Sequence, residues 1–226
     1  MSASERLRRK VELILPVSEA PLGFLLEHPQ TDVLYTRCLI VSYHISRSMV
    51  PLMETALKLA RARGPADPVA GGLADYLERH IPEEMHDEVP GDGVVDDLAA
   101  LGLDPDEVRE LPTTPQIAAM VISQLTWMSK DHPVAILGFL ELEAHNADRA
   151  TVERLIAKTG LPREGFGQLL LHSKLDLVHA KELREVIDSL PLTREQEKLI
   201  GLSALQTMSL VTEAFLEAVA EAPVPT

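Results

Sequence analysis

Apolar residues in this chain return every three or four positions, and nowhere do they alternate with polar ones over the length of a strand. That single period most restricts the fold. Side chains three and four apart share one face of a helix, whereas a half-buried sheet requires a period of two. Aromatic residues make up 4% of the sequence against 46% for all hydrophobic types, so the core must be aliphatic, a diet that suits packed helices. There is no internal repeat, and 226 residues suit one all-α domain spanning 1–226, with 222–226 as a frayed tail.

Proline and glycine divide the pattern into segments. A first helix over 4–15 is expected to stop at Pro16. A long amphipathic helix over 29–63 carries Pro51 as a kink and ends at Gly64 and Pro65. Residues 68–89 form the next helix, weakened by Gly71, Gly72 and Pro82, and the PGDG of 90–93 breaks the chain before a short helix over 94–102. Thr114 followed by Pro115 reads as an N-cap and first-turn proline. Pro133 interrupts that helix, the pattern resumes over 132–145, a compact helix ends at Gly160, and 163–190 is the longest uninterrupted stretch. Thr193 with Gln196 is a capping box for the last helix.

Charge removes several functions. Lysine and arginine total 21 against 35 acidic residues, a formal charge of −14 with no basic stripe, which opposes binding to nucleic acid. A single cysteine, Cys38, excludes an internal disulfide and lies in an apolar run, where a buried thiol is expected. The basic N-terminal stretch is interrupted by Glu12 and ends at Pro16, unlike a signal peptide, and no run approaches the roughly eighteen apolar residues of a membrane span. A cytoplasmic protein without a membrane partner is the expectation.

The long stretch 163–190 holds an anomaly. At about 100° per residue, His172, Asp176 and His179 fall within a sector about 60° wide. Leu169, Leu175, Leu183 and Ile187 share that sector, while Lys174, Lys181 and Arg184 lie opposite. A carboxylate unpaired in such a stripe would cost several kcal/mol, so it needs a partner, water or a metal. Elsewhere, Glu83 and His86 have the E-x-x-H spacing of carboxylate-bridged metal sites in bundles, in a turn crowded by His80, Glu84, Asp87 and Glu88, which also reads as a solvated acidic face. Glu141 and Glu143 each share a face with apolar residues, and periodicity does not choose between them. Carboxylates and imidazoles from three helices form a nitrogen and oxygen donor set that suits a pair of iron or manganese ions better than zinc.

The order of these motifs, E-x-x-H at 83–86, an inward glutamate after HPVAILGFL and H-x-x-x-D-x-x-H at 172–179, resembles the heme-oxygenase-like diiron oxidases, also called the iron-containing redox enzyme family. The likeness runs from about residue 70 to 205 and includes YLERHIPEE, DDLAALGL and LREVIDSLPLT. It implies a heme-oxygenase-like bundle of about seven helices, with Glu83, His86, Glu143, His172, Asp176 and His179 as ligands of two Fe(II) ions. Glu143 keeps the better spacing to the following helix, and Glu141 stays in reserve. Manganese is the competing metal. The resemblance further implies dioxygen as co-substrate and a small amino-acid-like or fatty-acid-like substrate that is cleaved at a C–C bond, desaturated or N-oxygenated. The VPGDG of 89–93 departs from the expected continuation of the ligand helix.

Tyr43, His44, Trp127 and His80 are candidates for the surroundings of the metals or the pocket, although aromatic and histidine side chains on amphipathic helices usually just pack. His132 and His145 adjoin turns and are expected at the surface. Met49, Met53, Met120 and Met128 could line a channel, but core filling is the commoner role. Two other readings stand beside the diiron one. A cofactor-independent oxidase or thiaminase-like hydrolase on the same scaffold would keep the fold without needing six ligands; the hydrolase would need Cys38 as nucleophile, and nothing beside it in sequence resembles an activated pair. A metal-free helical binding or carrier protein would hold the polar groups as a satisfied buried network. A homodimer is a common expectation for such folds.

Overall fold

The computed structural model describes residues 1–85, 92–145 and 147–220, the side chains of 175–177 excepted. Among the described residues there are twelve α-helices and no strand. They are α1 (Ala3–Val11), α2 (Leu15–Ser18), α3 (Ala20–Glu27), α4 (Thr31–Arg63), α5 (Pro68–Glu84), α6 (Asp92–Ala100), α7 (Pro105–Glu110), α8 (Pro115–Lys130), α9 (Ile136–Phe139), α10 (Arg149–Thr159), α11 (Gly167–Ser189) and α12 (Arg194–Ala220). Short 3-10 turns occupy Pro133–Ala135, Leu140–His145 and Arg163–Phe166.

The all-α expectation holds, but the helices outnumber the seven expected because proline starts helices here more often than it stops them. Pro16 and Pro21 sit in the first turns of α2 and α3, where the missing N–H would have had no partner anyway. Helix α1 ends at Val11, ahead of Pro16, so that proline opens the second helix rather than closing the first. Pro51 lies inside an unbroken 33-residue α4, and α5 runs through Pro82 to Glu84.

Several local signals act as read. The Thr114 hydroxyl accepts from the Ile117 N–H at 3.3 Å. The Thr193 N–H donates to Gln196 Oε1 at 2.9 Å, and the Gln196 N–H returns to Thr193 Oγ1 at 3.2 Å. Gly160 closes α10 with a φ of 66°, a conformation that a Cβ would penalise.

The core has two parts. A large aliphatic one is built from α4, α5, α8, α9, the inner face of α11 and α12, and includes Met53, Met120 and Met128, which therefore fill space rather than line a channel. A smaller one gathers Leu34, Tyr35, Cys38, Val95, Leu98 and Phe166, with Tyr35 stacked on Phe166 at 4.3 Å between ring centres. Among the described residues α12 alone is long and apolar enough to cross a membrane, and half of its apolar stretch is buried, with Ile200, Ala204, Met208 and Val211 in the large core. It reads as a core helix. Helix α11 packs against the 3-10 turn Leu140–His145 and, more lightly, against the end of α5, and the polar site forms where these three meet.

Candidate metal centre

Helix α5 presents Leu73, Leu77, His80 and Glu84 along one stripe, spaced four, three and four apart. The leucines and His80 are buried, and the Glu84 side chain is only 4% exposed, so the stripe delivers an imidazole and a carboxylate to the interior. The turn Leu140–His145 adds Glu143, and α11 adds His179, both buried. One ligand-capable atom from each of His80, Glu84, Glu143 and His179 lies within 4.8 Å of the others.

His179 Nδ1 is 3.0 Å from Glu84 Oε1 and 3.4 Å from Glu143 Oε2. His80 Nε2 is 3.5 Å from Glu143 Oε2 and 3.9 Å from Glu84 Oε1. The two rings meet edge to face with centres 4.9 Å apart. Despite this closeness, both nitrogens of His80, Nδ1 of His179, Oε1 of Glu84 and Oε1 of Glu143 lack a partner in hydrogen-bonding geometry. Buried polar atoms are rarely left so, and four of these, one from each of the four side chains, gather at the buried cluster, while His80 Nδ1 faces Glu83 on the other side of the ring.

The electrostatics agree. The nearby carboxylates of Glu143 and Glu84 raise the His179 pKa to about 10 against the burial that opposes it. Burial would lower that of His80, but Glu143 and Glu84 outweigh it and the net shift is upward. Burial would raise that of Glu143, and His179 and His80 reverse the direction. Without a cation, a proton on His179 offsets part of the charge of the two carboxylates. A divalent ion would take over that role, and two carboxylates with two imidazoles and no thiolate form a donor set suited to iron or manganese. The side chains fit such an ion.

The sequence-derived candidates divide into three groups. Glu143 and His179 enter the cluster. His86, with Asp87 and Glu88, lies outside the described residues, and the side chain of Asp176 is not among those described. The others stand elsewhere. The Glu83 side chain is 52% exposed, with its carboxylate 3.8 Å from the outer nitrogen of His80, because consecutive helical residues point about 100° apart and Glu84 takes the inward direction. Glu141 is buried but pairs with His145 at 3.4 Å. A 3-10 turn advances about 120° per residue, so Glu141 and Glu143 are directed to different neighbours. His172 is half-buried and lines, together with Glu143 and His145, a cavity of about 210 Å³ that Met49 and Met208 also border.

Of the surrounding residues, His80 is part of the cluster itself, with Tyr76 stacked on it at 5.0 Å. Tyr43 packs in the smaller core under the Arg47 guanidinium, His44 is buried beside it, and Trp127 borders a separate cleft with His132. His132 is not a surface residue: its Nε2 is 3.0 Å from Asp67 Oδ2, and its Nδ1 accepts the Val134 N–H, capping the turn after Pro133. His145, half-buried, is likewise drawn inward by Glu141. Glu84 is the clustered carboxylate that the sequence reading does not select as a candidate ligand. The signal was present in the H-x-x-x-E spacing from His80, which continues the leucine stripe.

Comparison with curated proteins gives no match. Among solved structures, a domain of unknown function with a heme oxygenase-like fold from Shewanella denitrificans superposes with a TM-score of 0.79 at 17% identity, covering 96% of this chain and 92% of that one. A TenA homologue from P. horikoshii gives 0.64 at 18% identity, covering 98% and 100%. Heme oxygenase-2 from Synechocystis, in complex with heme and NO, gives 0.64 at 16%, covering 96% and 85%. These likenesses establish a heme-oxygenase-like fold and nothing more specific. The family model of iron-containing redox enzymes matches residues 43–211, a span that contains all four clustered side chains. The chain belongs to the iron-containing redox enzyme family.

Proposed function

We propose that this protein is a nonheme diiron oxidase or oxygenase that uses dioxygen to oxidise a small amino-acid-like or fatty-acid-like molecule, by C–C cleavage, desaturation or N-oxygenation. The observation that carries the reading is the set of four buried, unpartnered donor atoms, one each on His80, Glu84, Glu143 and His179. These four side chains would hold one ion. The second would draw on His172, on Asp176, whose side chain is not described, and on His86, which lies outside the described residues.

Bound iron supplies electrons for dioxygen reduction and open coordination positions. The protein supplies the setting. Glu84 and Glu143 would provide the negative charge that offsets the cations, and His179 must give up its proton to serve as a ligand. The cavity beside Glu143 and His172, walled by Leu39, Ile45, Met49 and Met208, offers an apolar berth of about 210 Å³ for a small substrate next to the ligands.

The carrier reading requires a satisfied polar network, and the unpartnered atoms oppose it. The hydrolase reading requires an activated thiol, and burial pushes Cys38 in the other direction, up to about 12. Anaerobic loading with Fe(II) followed by metal analysis tests the proposal. About two irons per wild-type chain, with affinity reduced at least about tenfold in Glu143→Ala and His179→Ala, is expected from removal of a buried ligand. A wild-type chain that takes up no iron overturns the reading, and one iron per chain overturns its dinuclear part.

A further inference from the structure

Glu83, turned away from the buried cluster, does not stand alone. Its carboxylate, that of Glu182 on α11 and Nδ1 of His80 offer three ligand atoms within 4.8 Å of one another. They meet in a cleft of about 450 Å³ that Tyr76, Arg79 and Glu185 also border. Arg79, the basic side chain at this cleft, directs its guanidinium to the Asp75 carbonyl at 2.7 Å. The acidic pair alone would be an ordinary solvated surface. What distinguishes it is His80, 1% exposed, whose Nδ1 has no hydrogen-bond partner and lies 3.8 Å from Glu83 Oε2. The same ring turns its other nitrogen, also unpartnered, to Glu143 and Glu84 inside.

We propose that His80, Glu83 and Glu182 form a second, outer divalent-cation site that shares His80 with the buried centre and serves as the station through which metal enters it. The inner half of this inference rests on the metal reading given above. The outer half stands on its own geometry. A neutral imidazole carries one lone pair and one N–H, so His80 serves one side at a time. With an ion in the cleft, Nδ1 is the ligand and the Nε2 N–H faces Glu143. With the ion inside, the roles of the two nitrogens exchange, and the cleft keeps the Glu83 and Glu182 carboxylates, which hold a further ion only weakly. Two carboxylates that reach water and one buried imidazole suit a hydrated Mn(II) or Fe(II) ion held weakly and exchanged readily, as an entry station requires. Helix α5 thus uses adjacent residues for two tasks, Glu84 for the buried centre and Glu83 for the approach.

Titration of the full-length, metal-free protein with Mn(II), following free Mn(II) by its EPR signal, tests the site. Glu182→Gln removes an outer ligand and touches none of the four buried ones, and Glu185→Gln is the control for general loss of acidic charge. The wild type and Glu185→Gln should show a tight class and one additional weak equivalent, with the weak equivalent weakened at least about tenfold in Glu182→Gln and occupation of the tight class slowed by a similar factor. Identical titrations and uptake rates for Glu182→Gln and wild type overturn the outer site. A weak equivalent sensitive to Glu182→Gln without any tight class supports the outer site while refuting the buried iron centre. Altered stoichiometry but unchanged uptake into the tight class keeps the site and refutes its role in entry. No Mn(II) bound at all refutes both.

Discussion

His80 and Glu84 show how much depends on the direction of one side chain. Both E-x-x-H at 83–86 and H-x-x-x-E at 80–84 bring a carboxylate and an imidazole to one helix face, and the spacing rule does not rank them. The leucine stripe through Leu73 and Leu77 does, because it marks the face of α5 that is buried. At this scale the metal must compete with protons. His179 has a pKa of about 10 in the cation-free cluster, so below that pH an imidazolium has to release its proton before it can bind metal. Apparent Mn(II) or Fe(II) affinity should therefore rise by roughly tenfold per pH unit from about pH 6 to about pH 9, measured by titration in a non-coordinating buffer. An affinity flat over that range would mean that His179 is not a ligand.

The elements that bring these residues together depend on two close fits. Helix α9 touches α12 at Gly138, where an added Cβ would meet the Ile200 carbonyl oxygen at 2.3 Å and the Ala204 nitrogen at 2.7 Å. Backbone atoms have nowhere to retreat, so Gly138→Ala should destabilise the fold by about 1–3 kcal/mol or more, read as a lower urea midpoint at unchanged m-value. The start of α11 is fixed by Asp97 of α6, which is buried and accepts the Gly167 N–H at 3.0 Å and the Gln168 N–H at 2.9 Å. Asp97→Ala strips two first-turn donors of their acceptor and should cost about 1–3 kcal/mol in the same assay, with Asp97→Asn recovering part of it. Neither fit is legible from periodicity, since each joins segments remote in sequence.

Across the whole molecule, two buried histidines give the metal-free protein a stability that bends with pH. Burial, reinforced by Arg47, lowers the pKa of His44 from 6.5 to about 4, so the unfolded chain binds the proton more tightly and stability falls as pH drops from 6.5 to about 4. For His179 the folded value lies above the unfolded one, so its contribution is complete below 6.5 and is lost as pH rises to about 10. In the presence of chelator the melting temperature should peak near pH 6.5 and fall towards both about pH 5 and about pH 9. His44→Phe should flatten the acid limb and His179→Phe the alkaline one. Bound iron should reverse the alkaline fall, because a ligand that binds only the folded state stabilises it in proportion to its occupancy.

Helical class, the caps at Thr114, Gly160 and Thr193, and the presence of carboxylates and imidazoles on apolar faces were all fixed by local order along the chain, because a helix repeats every 3.6 residues and its ends need particular side chains. Which acid faces inward was not. At Leu140–His145 the backbone tightens into a 3-10 turn that separates Glu141 from Glu143, and at the end of α5 the rotation of one helix against α11 admits Glu84 and turns Glu83 out to the cleft. Those rotations are set by packing among α5, α9, α11 and α12, contacts between residues far apart in sequence, and only the assembled core decides them.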